Sequence, residues 1–197
     1  MGIDGKRAAA TEATRRAIIA AARDLLAERR WQQFTIEAVA KRAGVTRVTV
    51  YNQAQSKHGL LEAVLTDLTE RARMDQLLND TRHLTAAEAC TAIVRRTCLF
   101  WHAERDILRP LFGLAGVDQE VAASLSQREQ WREEQLRQLL QRLAGETPPP
   151  ARFTARDTLA AALALTSFPT YDSLGETADD PERAAQLINH LVRSLTA

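Results

Sequence analysis

Two short helix patterns joined by a glycine turn constrain the fold of this chain most strongly. Thr35 is a favourable N-cap for a helix over residues 36–43, and Gly44 stands where a left-handed residue commonly ends a helix. Thr46 can then cap a second helix over about residues 47–53. The order of helix, glycine-containing turn and short helix predicts a helix-turn-helix motif.

Longer helix patterns flank this motif on both sides. Residues 14–29 place Ile18, Ala22 and Leu25 on one helical face, and Ser56 can cap a fourth helix whose leucine stripe continues towards Leu78. Packing the short helices on these neighbours through Val39, Ala40, Val45 and Val50 leaves one face of the second short helix less buried. That face carries Arg47, Val48, Thr49, Tyr51, Asn52 and Gln53. A helix that exposes donors and a cation suits a DNA major groove, which is about 12 Å wide.

The remaining chain also reads as helix, which gives nine helices in all. Thr85 and Glu88 form a capping box, Thr154 caps a later helix, and Pro181 opens the last one. Pro110 and Gly113 predict a short, broken helix, and a polar loop is expected after Pro169. With only 8 Gly and 6 Pro in 197 residues, the composition favours an all-α fold.

The composition argues against a membrane segment and a metal centre. The longest wholly apolar run, residues 159–165, is far shorter than the roughly 20 residues that span a bilayer. The N-terminus lacks the apolar stretch of a signal peptide, so we expect a cytoplasmic protein. Cys90 and Cys98 lie too far apart on one helix for a disulfide and are interpreted as core residues. No CxxC, CxxH or HExxH spacing occurs, and no cofactor is predicted.

Charge is distributed unevenly along the chain. Residues 1–60 carry 11 Lys and Arg against 5 Asp and Glu, whereas residues 61–197 carry 15 against 20. The N-terminal part is therefore basic and the rest of the chain is acidic. This distribution suggests that the N-terminal part binds a polyanion.

The segments "FTIEAVAKRAGVTRVTVY" and "SKHGLL", with the helix that precedes them, resemble the TetR family of bacterial transcriptional regulators. The resemblance covers residues 14–65. It implies three N-terminal helices that form a DNA-binding domain, placed here at residues 1–57, and six further helices for effector binding and dimerisation, placed at residues 58–197. Glu37, Arg30 and the pair Gln53-Ala54 depart from the usual family pattern.

The resemblance also implies a function and a set of DNA contacts. A member of this family would bind double-stranded, palindromic operator DNA as a homodimer and regulate transcription, here most simply as a repressor. Arg47, Val48 and Thr49 would meet base edges or nearby phosphates, and Thr35, Tyr51 and Lys57 would meet the backbone. The full set of predicted DNA contacts is Thr35, Thr46, Arg47, Val48, Thr49, Tyr51, Asn52 and Lys57.

Candidates for the other two sites come from the C-terminal part. A small apolar or amphipathic effector is expected among aromatic and polar side chains, namely Phe100, Trp101, His102, Arg109, Phe112 and Trp131, which can equally be ordinary core. The dimer is expected through the eighth and ninth predicted helices. Its predicted contacts are Ala161, Leu165, Leu187, Leu191 and Leu195.

Two other classes of function remain open at this point. The chain can be an all-helical enzyme or small-molecule carrier whose N-terminal domain no longer binds DNA, or a partner that only forms mixed dimers with another regulator. The four histidines show no motif with Ser, Cys or Asp, so no nucleophile and base are recognisable and we do not expect an enzyme.

Overall fold

The regular structure of this protein is entirely helical. The computed structural model describes residues 3–28, 31–146 and 153–195, and within them it contains eleven α-helices, three short 3-10 helices and no strand. The chain divides into two compact units, Met1–Arg71 and Ala72–Ala197. The predicted all-α fold is confirmed.

The N-terminal unit contains four α-helices around one apolar core. They are α1 (Ile3–Ala27), α2 (Ile36–Ala43), α3 (Arg47–Ala54) and α4 (Lys57–Arg71), with a 3-10 helix at Trp31–Gln33. The short helices α2 and α3 pack on each other, and each packs on one of the longer helices α1 and α4. The core side chains with at most 2% exposure include Ile18, Phe34, Val39, Val50, Leu61, Val64 and Leu65.

Helix α4 belongs to this N-terminal unit. The apolar stripe from Leu60 to Leu68 is buried, and α4 packs against both α1 and α3. The compact unit therefore ends at Arg71, whereas the sequence placed the domain boundary after Lys57. The stripe was also expected to continue towards Leu78, but the helix ends at Arg71, just before Arg73 takes a left-handed conformation with φ 53°.

The C-terminal unit is organised around the buried helix α6. Helix α11 and the long helix α8 pack against it, and α9 packs against both α8 and α11. The α-helices of this unit are α5 (Leu77–Asp80), α6 (Ala86–Ala103), α7 (Arg105–Leu114), α8 (Gln119–Glu146), α9 (Ala155–Leu165), α10 (Phe168–Ser173) and α11 (Pro181–Ser194). Short 3-10 helices lie at Met74–Gln76 and Gly175–Asp179.

Two segments of the C-terminal unit differ from the sequence prediction. Helix α7 is not broken at Pro110, because Ile107, Leu108 and Leu111 are buried on one of its faces. The expected polar loop after Pro169 is instead the helix α10 followed by a 3-10 helix.

Capping and burial account for α10. The Ser167 side chain accepts a hydrogen bond from the Thr170 amide, and Phe168 and Tyr171 are buried. The two short helices α5 and α10 account for the difference between the nine predicted helices and the eleven observed.

Ion pairs join α7 to the segment that follows α9. Arg109 donates to both carboxylate oxygens of Asp172, and Arg105 donates to Asp172 at 2.9 Å and to Asp179 at 2.8 Å. The hydrogen bonds from Arg109, followed by those from Arg105, hold the pKa of the Asp172 carboxyl below its ordinary value, although partial burial opposes this shift. These contacts anchor α10 on α7.

Replacement of Gly59 by alanine should destabilise the N-terminal unit. A Cβ atom at this position would lie 2.0 Å from the backbone carbonyl oxygen of Ala54, so α3 and α4 would have to separate. We expect a loss of about 1–3 kcal/mol in the free energy of unfolding. The matched control is Gly113→Ala in α7, where a Cβ meets nothing within 4 Å. The control should gain about 0.5–1 kcal/mol from helix propensity. Equal effects in denaturant titrations would contradict the close approach.

The contribution of Asp172 to stability should depend on pH. Because its folded pKa is lowered, its stabilising effect is present above the unfolded pKa of about 4 and is lost as the pH falls through the folded value. Asp172→Asn should therefore lower the free energy of unfolding by about 1–2 kcal/mol at pH 7, and the difference from the wild type should shrink below about pH 4.

The control for this experiment is Asp179→Asn. Asp179 also pairs with Arg105, but its side chain is 70% exposed, so its replacement should change little. A gap between wild type and Asp172→Asn that stays constant from pH 7 to pH 3 in urea titrations would contradict the role of the ionised carboxylate.

Candidate nucleic-acid interface

Helices α2 and α3 are bounded by the local interactions that the sequence predicted. Thr35 Oγ1 accepts a hydrogen bond from the Ala38 amide at 3.1 Å, and Gly44 ends α2 in the left-handed conformation with φ 67°. Thr46 Oγ1 accepts from the Thr49 amide, also at 3.1 Å, and so begins α3. The predicted helix-turn-helix geometry is present.

One face of α3 lies in the core and the other is open to solvent. Val50 is completely buried, whereas Val48 is 66% exposed and Tyr51 is 56% exposed. Arg47 and Asn52 are also exposed, and Thr49 is half-buried with its hydroxyl 2.8 Å from that of Thr46. We call Arg47, Val48, Thr49, Tyr51 and Asn52 the α3 face. Exposed apolar side chains beside an arginine are suited to contact with base edges in a groove.

Arg47 has an acidic partner from α2. Its Nε atom lies 2.9 Å from Oε1 of Glu37, and both side chains are more than half exposed. Sequence reasoning had noted that Glu37 departs from the usual family pattern but had not paired it with Arg47. The two residues are ten positions apart on different helices, so only the packing of α2 on α3 brings them together.

Lys57 lies on an aromatic surface at the start of α4. Its Nζ atom is 3.8 Å from the centre of the Trp31 ring, and Trp31 stacks on the buried Phe34 with ring centres 5.3 Å apart. A cation over an aromatic face is attracted by the ring quadrupole. Sequence reasoning predicted Lys57 as a phosphate contact and missed the ring that holds it.

Five of the six predicted effector residues lie on helices α6 and α7. Three of these five are aromatic side chains, and they form a cluster with Phe168, which was not predicted. The rings of Phe100 and Trp101 are tilted at 45° with centres 4.9 Å apart, Trp101 meets Phe168 edge-on, and Phe112 stacks on Phe168 at 5.0 Å. Trp101 is 7% exposed, and its Nε1 donates to the carbonyl of Thr166 at 3.0 Å. These rings form part of the core between α6, α7 and α10.

The polar effector candidates have partners within the protein. Nδ1 of His102 lies 3.1 Å from the carbonyl oxygen of Ala178, and Arg109 pairs with Asp172 as described above. Trp131 lies elsewhere, on α8, and is 39% exposed. Of the six residues, three thus lie in the aromatic cluster, two form polar contacts within the protein, and one lies at the surface. They do not line a common cavity among those described.

A cavity of about 510 Å³ lies between α8 and α9. Leu140, Leu143 and Leu159 supply apolar lining, while Arg137 and Arg156 supply cations. No predicted effector residue lines it. Periodicity alone could not have indicated this cavity, because it depends on how α8 and α9 pack on each other.

Two leucines stand out on the surface of α11. Leu187 is 41% exposed and Leu191 is 40% exposed, and their spacing of four residues places both side chains on one face of the helix. Ala161 and Leu165 on α9 and Leu195 after α11 are half-buried. The predicted dimer contacts therefore lie on two helices that pack on each other, with the α11 leucines exposed.

The described residues hold no disulfide and no group of side chains suited to a metal ion. Cys90 and Cys98 are buried, unpaired thiols, as expected, and burial raises the pKa of Cys98 to about 12. No cluster of three or more His, Cys, Asp or Glu side chains suited to a metal ion occurs among the described residues. Within the same part of the chain, no helix is both long enough and apolar enough to cross a membrane.

Comparison with known proteins identifies the N-terminal unit. The family described as "Bacterial regulatory proteins, tetR family" matches residues 18–64, from α1 into α4. The HTH-type transcriptional regulator AlkX of Mycobacterium tuberculosis is 39% identical over 57 residues, which are 29% of this chain and 27% of that relative. The chain thus matches little more than a quarter of the length of this curated relative.

Solved structures share the fold of the whole chain. A putative TetR-family transcriptional regulator from Rhodococcus sp. has a TM-score of 0.74 and 18% identity, covering 94% of this chain and 100% of the other. A putative transcriptional regulator from Pseudomonas aeruginosa PAO1 has a TM-score of 0.76 and 18% identity, covering 92% and 89% respectively. The N-terminal unit, with its capped α2–turn–α3 geometry, therefore matches the TetR family of bacterial transcriptional regulators over residues 18–64, and the solved structures show that the chain as a whole shares their fold.

Proposed function

We propose that this protein is a transcriptional repressor that binds a palindromic operator as a homodimer and is released by a small apolar or amphipathic effector. The observation that carries the DNA-binding part is the α3 face, in which Arg47, Val48 and Tyr51 are exposed on a helix whose opposite side is buried. The other parts of the proposal rest on the similarity to the TetR family and on the features described next.

The chemistry of the α3 face matches the major groove. An arginine donates bidentately to O6 and N7 of guanine, and an apolar side chain such as Val48 contacts the methyl group of thymine. Tyr51 and Thr35 can donate to phosphate oxygens beside the groove, and Lys57 supplies a positive charge there. Thr46 and Asn52 complete the proposed set, Thr46 at the start of α3 and Asn52 on its exposed side.

The proposal of a dimer rests on α9 and α11. Burial of Leu187 and Leu191 against a second copy would remove two large apolar side chains from water. Half-buried Ala161 on α9 allows close helix approach beside them. A two-fold dimer would present two α3 faces to successive major grooves on one side of the duplex.

Effector release has support from two places in the C-terminal unit. The aromatic cluster of Phe100, Trp101 and Phe112 would have to open to admit a ligand, since its rings now pack on Phe168. The cavity between α8 and α9 already has the volume for a small molecule and combines leucines with charged side chains of both signs, which suits an amphipathic molecule. A ligand at either place would act only if it bound one conformation of the protein better than another.

Selection from a random DNA pool tests the proposed function directly. The purified full-length protein should enrich an imperfect palindrome with half-site centres about 10 bp apart, or a multiple of that. Arg47→Ala should cost roughly 1–3 kcal/mol per half-site and relax the preference at one base position. Lys57→Ala should weaken all sequences alike and lower the salt slope by about 1 per subunit.

The comparison between these two variants also provides the control. Equal losses on every sequence for Arg47→Ala would show that this arginine positions the helix and reads no base. Failure of the wild type to enrich any sequence would favour a carrier or enzyme, and enrichment only after a second regulator is added would favour a mixed dimer.

Leu191→Asp should yield monomers with a folded N-terminal unit and reduced operator affinity. A carboxylate at a buried apolar interface loses its hydration without a partner, so the dimer becomes unfavourable. Val117→Asp is the matched control, because Val117 is also an exposed apolar residue, at 85%, and lies outside α9 and α11. Sedimentation velocity measures the outcome. A Leu191→Asp variant that sediments as a dimer would exclude the assigned interface.

A further inference from the structure

We propose that Glu37 is a positioning residue that makes the protein selective, by holding Arg47 for a base edge and penalising its use as a phosphate contact. This inference rests on the proposed DNA-binding function and names a residue that sets its specificity. The observation that carries it is the ion pair between the two residues, in which Nε of Arg47 lies 2.9 Å from Oε1 of Glu37.

Both ends of this ion pair are held by rigid elements. Glu37 lies in the first turn of α2, behind the N-cap Thr35, and Arg47 is the first residue of α3, directly after the N-cap Thr46. The two helices pack on each other within one compact unit. The backbone positions of both residues are therefore determined by capped helix ends, which keeps the two side chains within reach of each other.

The fold does not depend on this pair. The side chain of Arg47 is 70% exposed and that of Glu37 is 58% exposed, and exposed ion pairs contribute little to stability. The effect of the pair must therefore be sought in what Arg47 contacts. It also follows that Glu37 can be replaced without unfolding the N-terminal unit, which makes the inference testable.

The contact to Glu37 is compatible with base recognition by Arg47. It is made at Nε, which leaves the two terminal Nη groups for the O6 and N7 acceptors of guanine. In this arrangement the carboxylate keeps its cationic partner while the arginine reads the base. A carboxylate can accept a hydrogen bond from an amino group on a base edge, such as cytosine N4. Glu37 is therefore also compatible with a G·C pair beside it.

The same carboxylate opposes contact with phosphate. If Arg47 swings to a phosphate, Glu37 loses its partner and remains beside a polyanion, where like charges repel. Non-specific binding depends on such sequence-independent phosphate contacts. Glu37 therefore lowers affinity for unrelated DNA more than it lowers affinity for the operator, which raises the ratio between the two.

Glu37→Gln is the informative variant, because it removes the charge and keeps the shape. Binding of the full-length protein to three kinds of duplex is measured at several salt concentrations. The duplexes are the selected operator, operators with single base changes, and an unrelated sequence. Glu37→Gln should bind the unrelated duplex more tightly, with a salt slope that is steeper by up to about 1 per subunit. It should also reduce discrimination by at least about fivefold at the base position that Arg47→Ala relaxes.

Two controls separate positioning from other effects. Glu70 is an exposed residue of α4 in the same unit, so Glu70→Gln removes one negative charge and should leave base preference unchanged. In the Arg47→Ala background, Glu37→Gln should have no further effect on base preference, because it acts through Arg47. A purely structural role would instead lower the melting temperature and weaken all duplexes equally.

The possible results distinguish this inference from the proposed function. Full retention of base preference by Glu37→Gln, or a change at a position that is independent of Arg47, overturns the positioning role while DNA binding stands. A wild-type protein that selects no DNA sequence overturns both.

Discussion

The burial of Val50 and its neighbours on one side of α3 is the constraint on which the candidate site depends. An eight-residue helix is not stable alone in water, so α3 persists only because it packs on α2 and α4. Packing one side of the helix on the core leaves Arg47, Val48 and Tyr51 on the other side in solvent. Exposure of these groups is thus a consequence of how the core is filled, and the same packing fixes the backbone of α3 from which they project.

The N-terminal unit places charged groups beside partners that limit what they can contact. Arg47 is paired with Glu37, and Lys57 lies over Trp31. Each partner reduces the number of conformations that the cation samples, so less side-chain entropy is lost when a ligand binds. The excess of positive charge in this unit attracts a polyanion in general. In addition, Arg47 and Lys57 are held in particular orientations by their partners.

The C-terminal unit uses its polar residues mainly to join helices. The pairs of Arg105 and Arg109 with Asp172 connect α7 to α10. The hydroxyl of Tyr171 donates to the Ala178 carbonyl inside the core, and burial raises the pKa of Tyr171 to about 12.

Local signals account for what could be predicted from the sequence. The caps Thr35 and Thr46 act on amides three residues away, and Gly44 acts through its own φ, so the helix-turn-helix motif is encoded within a dozen residues. The exposed side of α3 followed from helical periodicity. The same reasoning predicted the capping box at Thr85 and the helix cap at Thr154, both of which the structure contains.

The features that the sequence did not reveal depend on contacts between distant residues. Arg109 was predicted to contact an effector, but it forms an ion pair with Asp172, which lies 63 positions away in the sequence. Phe168 contacts the rings of Trp101 and Phe112. Helical periodicity identified those two residues only as apolar and did not predict this contact. By itself the sequence determined the helices, their caps and the exposed side of α3, because these arise from interactions within a few turns. Only the tertiary structure decided which charges pair and which rings are buried, because these depend on helices that meet in space.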